Sequence, residues 1–95
     1  MTTNISAARD LLRESYAAAL DEYLRDRPEI ALHAAYELGR DAARRKLSVL
    51  DLASMHHDVL LSALSRADAA DPADTVTAAG EFFLESLAAF DTVEA

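Results

Sequence analysis

Apolar residues return at steps of three and four along nearly the whole chain, the spacing that lines one face of an α-helix. In the first stretch Ile5, Ala8, Leu12, Tyr16, Ala19 and Tyr23 fall on one stripe, and Asp10, Glu14 and Asp21 take the opposite side. The spacing predicts a helix over residues 5–25, capped by Asn4 or Ser6 and stopped by Asp26-Arg27-Pro28. Leu11, Leu20 and Leu24 fall outside the narrow stripe, so this helix is expected to touch more than one neighbour.

Pro28 suits the first turn of a second helix over residues 29–46, because its missing N–H costs little there. Ile30, Ala31, Ala34, Leu38 and Ala42 form the expected main buried face. Ala35, Gly39 and Ala43 add a strip of small residues that would let another helix come close. A glycine inside a helix costs about 1 kcal/mol relative to alanine, so close packing is the natural reason for Gly39. Glu29, His33, Glu37, Arg40 and Arg44 share the remaining polar face.

Ser48 followed by Asp51 reads as a capping box in which Asp replaces the usual Glu, and it starts a third helix over residues 49–67. Asp51, Ser54, Asp58, Ser62 and Ser65 make its polar strip, while apolar residues cover roughly 200° of the circumference. His56 lies near the centre of that arc, among Val49, Leu52, Ala53, Val59, Leu60 and Ala63. After a loop at residues 68–71, Asp71 caps and Pro72 opens a fourth helix over residues 72–91. Val76, Gly80, Phe83, Leu87 and Phe90 repeat there at 4-3-4-3 spacing, the expected inward seam.

Four helices joined by short loops, in one domain over residues 1–95, predict an all-α antiparallel four-helix bundle. The apolar arc of the third helix is wider than one neighbour covers. A chain of 95 residues also buries only about 60–65% of its unfolded surface. Both point to a homodimer, formed through helices three and four, with Gly39, Leu52, His56, Val59, Phe83 and Leu87 as the core and dimer positions.

Composition narrows the function. Twenty-one alanines, two glycines and two prolines agree with helix throughout. A net charge of −8 opposes binding to nucleic acid or to an anionic membrane, and Arg44-Arg45-Lys46 sits where cations complement a helix C-terminus. No apolar run reaches the roughly 20 residues needed to span a membrane, and the start, Met-Thr-Thr-Asn-Ile-Ser, lacks the pattern of a secretory signal. The cytoplasm is the expected location.

Candidate chemistry is sparse. Without cysteine there is no thiol nucleophile or thiolate metal site. A histidine phosphotransfer protein would carry His-x-x-Lys-Gly, whereas the run here is His56-His57-Asp58-Val59-Leu60, with Val and Leu where the lysine and glycine belong and an acid beside them. Glu29, His33 and Glu37 are spaced one helical turn apart, but a metal needs three or four converging ligands. The simpler reading makes His56 a buried hydrogen-bonding residue, His57 a boundary residue and His33 a solvated one. No catalytic site, cofactor or metal is expected.

Tyr16 and Tyr23 on the first helix, Arg40 after Gly39, Ser48 at a helix start, His56 in Ser-Met-His and Phe90 near the end together resemble the amino-terminal regulatory domain of RsbU-type serine phosphatases. The resemblance runs from Tyr16 to Asp91. It implies a small helical dimer that receives an RsbT-type switch kinase and thereby activates a carboxy-terminal serine phosphatase, in stress signalling through sigma-factor regulation. His33 stands where some relatives carry an aromatic, and the acidic metal-binding motifs of the phosphatase are missing from these residues. Two surfaces qualify for docking: the polar face at Glu29, His33, Glu37 and Arg40, and the shoulder of helix four at Leu84 and Ala88. The competing readings are a purely structural dimerisation domain and the histidine phosphotransfer protein.

Overall fold

The computed structural model describes residues 3–66 and 71–94, and the side chains of residues 7, 9–66 and 71–91. Among the described residues helix is the only regular secondary structure: α1 (Thr3–Asp26), α2 (Glu29–Arg44), α3 (Val49–Arg66) and α4 (Pro72–Glu94). The side chains of Asn4, Ile5, Ser6 and Ala8, on which the expected cap and the start of the stripe rest, lie outside what is described, as do Ala67 and the loop at residues 68–70.

Local chemistry sets the helix ends. After α1, Arg27 turns to a positive φ of 56°, its N–H bonds the Tyr23 carbonyl at 2.8 Å, and its guanidinium covers the Leu24 carbonyl at 2.7 Å. Pro28 is extended and precedes α2, one position earlier than the first-turn place expected of it. α2 stops at Arg44, two residues sooner than the spacing suggests, because Lys46 adopts a φ of 65° and closes a C-terminal lock. The N–H groups of Lys46 and Leu47 reach back to the carbonyls of Ala43 and Ala42, and the Leu47 side chain is buried. The capping box forms as read: Asp51 N–H donates to Ser48 Oγ at 3.1 Å, and Ser48 N–H to Asp51 Oδ2 at 3.0 Å. At the start of α4, Asp74 N–H donates to Asp71 Oδ1 at 3.2 Å.

The helices alternate in direction, yet the tightest pair is not a consecutive one. α2 and α4 pack most intimately, α1 touches all three others, and α2 and α3 barely meet. Gly39 lies against the Ser86 backbone, and further along the same two helices Ala43 and Leu47 share a groove with Phe90, so α2 and α4 run side by side in the same direction. Ion pairs Arg9–Asp51, Arg13–Asp58 and Arg66–Asp21 tie α1 and α3 together in ascending order, making a second parallel pair. The expectation of opposite directions concerned helices joined by a short loop, and neither of these two parallel pairs is joined by one. Small residues at the α2–α4 contact bring those axes together in preference to the helices joined by the shortest links.

That contact also changes which faces are buried. Ala31, Ala35, Gly39, Ala42 and Ala43 form the inner face of α2, whereas Ile30 is 70% exposed. On α4 the buried residues are Ala78, Ala79, Phe82, Ser86, Ala89 and Phe90, about one residue around from the expected seam. Val76 is exposed, and Gly80, Phe83 and Leu87 are half-buried on the flank toward α3. Leu20, placed off the stripe by spacing, is fully buried, and Leu11 is exposed. At the centre Tyr16 meets Phe82 edge-on at 5.0 Å, with Leu52 and Met55 of α3 closing the core.

Candidate partner-binding site

The polar face of α2 turns outward as its spacing requires. Glu29 and His33 are exposed, and Glu37 lies 3.9 Å from His33 and 3.7 Å from Arg40. Exposed pairs of this kind contribute at most about 1 kcal/mol, so holding the fold does not account for them. Glu37 and Arg40 stand on the lip of a groove of about 430 Å³ between α1 and α2. Ser15 and Ala19 of α1 form one wall; Ala34 and Leu38 line the other, with Asp41 and Arg44 continuing the charged rim. An apolar floor bordered by alternating charge is the anatomy of a protein-docking surface. The α1 wall was not legible from helix-by-helix spacing, because a groove is a property of two helices and small residues such as Ser15 and Ala19 give little signal.

The second candidate surface lies on α4. Leu84 is 65% exposed and Ala88 is exposed, on the side of the helix away from Phe82 and Ser86. Of the positions read as core or interface, Gly39, Leu52 and Val59 are buried within the protomer, while Phe83 and Leu87 sit half-buried at its edge.

His56 belongs to that edge. Its Nδ1 lies 2.6 Å from the Tyr16 hydroxyl, and its ring stacks on Phe83 at 4.4 Å and 16°. One residue thus joins α1, α3 and α4. Burial and then the charge of neighbouring His57 push the His56 pKa below its ordinary value, so the ring is neutral near pH 7 while its Nδ1 shares a hydrogen bond with the Tyr16 hydroxyl. Burial raises the Tyr16 pKa, keeping that hydroxyl protonated, and Ser86 is a second hydrogen-bonding neighbour. The fully buried Ser86 was not picked out by spacing; its Oγ donates to the Phe83 carbonyl at 2.7 Å. With Nδ1 engaged and one ring face covered, His56 is built as a structural junction. His57 is exposed, rather than at a boundary, and His33 is exposed.

Among the described residues no three His, Asp or Glu side chains gather in a metal-ligand cluster. Among them, too, no helix is long and apolar enough to cross a membrane.

No curated protein and no solved structure matches the chain. Residues 14–93, most of the sequence, match the family described as phosphoserine phosphatase RsbU, N-terminal domain. The matched portion contains the α1–α2 groove and the Tyr16–His56 junction, and the family it matches is the amino-terminal, regulatory part of that phosphatase rather than its catalytic domain. The chain belongs to the family of RsbU amino-terminal domains.

Proposed function

We propose that this domain is a non-catalytic receiving module: it dimerises through α3 and α4, and a switch-kinase protein docks on it to activate a serine phosphatase in cytoplasmic stress signalling. Family membership over residues 14–93 carries the reading. The docking surface is the α2 face at Glu29, His33, Glu37 and Arg40 beside the α1–α2 groove, with Leu84 and Ala88 of α4 as the second surface. Support comes from the mixed charge of the groove's rim over an apolar floor, which suits a folded protein partner better than a phosphate backbone.

The test is capture of an RsbT-type kinase on the immobilised domain, compared with the Glu29→Lys and Arg40→Glu variants. Retention by the parent and at least tenfold weaker retention by Arg40→Glu are expected. If the parent retains no kinase, the receiving role fails; if both variants retain it equally, docking on α2 fails.

A further inference from the structure

The α1–α2 groove is longer than its main cavity. A second hollow of about 100 Å³, lined by Leu11, Leu12, Ser15, Leu38, Asp41 and Arg45, shares Ser15, Leu38 and Asp41 with the first, so the two form one trough. Along α2 the trough runs from Ala34 to Arg45, about 16 Å at 1.5 Å per residue, the length of three helical turns. The two helices lie antiparallel, so Ala19 faces the Ala34 end and Leu11 the Arg45 end. Small residues, Ser15, Ala19 and Ala34, hollow out the middle and one end, whereas Leu11 stands up at the other and is 63% exposed.

The charges on the rim do not cancel. Glu37 pairs with Arg40 at 3.7 Å and Asp41 with Arg45 at 2.9 Å, while Arg44 makes no ion pair among the described residues. Three arginines against two acids leave one positive charge over, in a chain whose net charge is −8. That unpaired guanidinium is exposed beside an apolar floor, and a carboxylate from outside complements it. Both walls are helices with their backbone groups already bonded, so an occupant is recognised through side chains and not by adding a strand. An amphipathic helix lays a row of side chains at i, i+3 or i+4 and i+7 into such a trough, as a third helix does in a bundle.

We propose that the partner enters the trough as one amphipathic helix of about three turns, with large apolar residues over Ser15, Ala19 and Ala34, a small residue over Leu11, and a carboxylate that pairs with Arg44. Large then meets small along the whole contact, as interdigitating helices require. Arg44, whose planar fork suits two-point contact with a carboxylate, selects an acidic helix over a basic one. Leu11 and Arg44 are thereby specificity residues, one by size and the other by charge.

This inference rests on the receiving role proposed above, and the experiment separates the two. The chain has no cysteine, so Ser15→Cys, exposed on the trough wall, carries one benzophenone label, and Ser54→Cys, exposed on α3, carries the control. Each labelled domain is irradiated with the RsbT-type kinase, and mass spectrometry identifies the joined segment. The expected product joins Ser15→Cys, and not Ser54→Cys, to a kinase helix that has the apolar row and an acid. Arg44→Glu is expected to weaken kinase binding at least tenfold, and reversal of the kinase's acid to Lys to restore it. A kinase that binds but is joined to a loop or a strand, or is not joined through Ser15→Cys, overturns the helix while leaving the receiving role intact. Binding indifferent to Arg44→Glu does the same. Domains joined to one another through Ser15→Cys would make the trough a contact between copies and overturn the inference as well. A parent domain that binds no kinase overturns both.

Discussion

A single methyl group placed at Gly39 should loosen the whole domain, although by helix propensity alone it ought to help. A Cβ built at Gly39 falls 1.9 Å from the Ser86 carbonyl oxygen, 2.7 Å from its carbonyl carbon and 2.9 Å from its Cα. All three atoms are backbone, so no side chain can rotate away. Restoring an ordinary 3.4 Å contact requires α2 and α4 to part by about 1.5 Å at that point. Alanine gains about 1 kcal/mol of helix propensity over glycine. Against that stands overpacking, which typically costs 1–3 kcal/mol and occasionally more. Here it also separates Ala35 and Ala43 from α4 and disturbs the fully buried Phe82. The net expectation for Gly39→Ala is a loss of about 1–3 kcal/mol, with Tm falling by roughly 4–8 °C per kcal/mol in a domain this size. Gly80→Ala is the internal control: nothing lies within 4 Å of its added Cβ, so the same change should stabilise by about 0.5–1 kcal/mol. Urea unfolding followed by circular dichroism, at fixed protein concentration, measures both. A Gly39→Ala protein as stable as its parent would refute the backbone-to-backbone contact between α2 and α4.

Three other outcomes follow from the same structure. Tyr16→Phe removes the hydrogen-bond partner of His56 and should cost about 1–3 kcal/mol in urea unfolding, because it leaves polar groups at the junction without a partner. His56 has a folded pKa below its ordinary 6.5, so the unfolded chain binds its proton first; stability from this residue is complete above pH 6.5 and declines as pH falls toward the folded value. Urea midpoints at pH 7.5 and 5.5 should therefore differ more for the parent than for His56→Gln, and equal differences would remove His56 as the source. Ser48→Ala should cost about 1 kcal/mol in urea unfolding through loss of the cap of α3. In an acid titration it should also raise the Asp51 pKa, which is held down by the Ser48 backbone N–H above all, against the upward push of burial, and then by the Ser48 hydroxyl and Arg9.

The helices, the caps of α3 and α4 and the small strip on α2 were legible because each depends on local chemistry: 3.6-residue periodicity, an Asp or Ser at the right offset, a Pro that cannot continue a helix. Gly39 was readable as a close-approach residue because its propensity cost demanded a reason. The inner face of α4 was not. Phe83, Leu87 and Val76 make the stronger hydrophobic line, yet the core took Ala78, Ala79, Phe82, Ser86 and Ala89, since only small residues fit where two backbones nearly touch. Ile30 misled for the same reason, as a large residue beside a face built from alanine. Of the candidate site, the charged face of α2 could be read from one helix's spacing. The groove required knowing that Ser15 and Ala19 stand opposite.

The contact of Gly39 with Ser86 joins residues 47 positions apart and spans two intervening loops and the whole of α3. During synthesis the inner strip of α2 must therefore wait, exposed, until most of α4 has been made. A waiting surface of Leu or Phe would invite association with other nascent chains. One made of Ala31, Ala35, Gly39, Ala42 and Ala43 presents little apolar area per residue, so the feature that lets two helices lock tightly also keeps the unfinished chain quiet until its partner arrives.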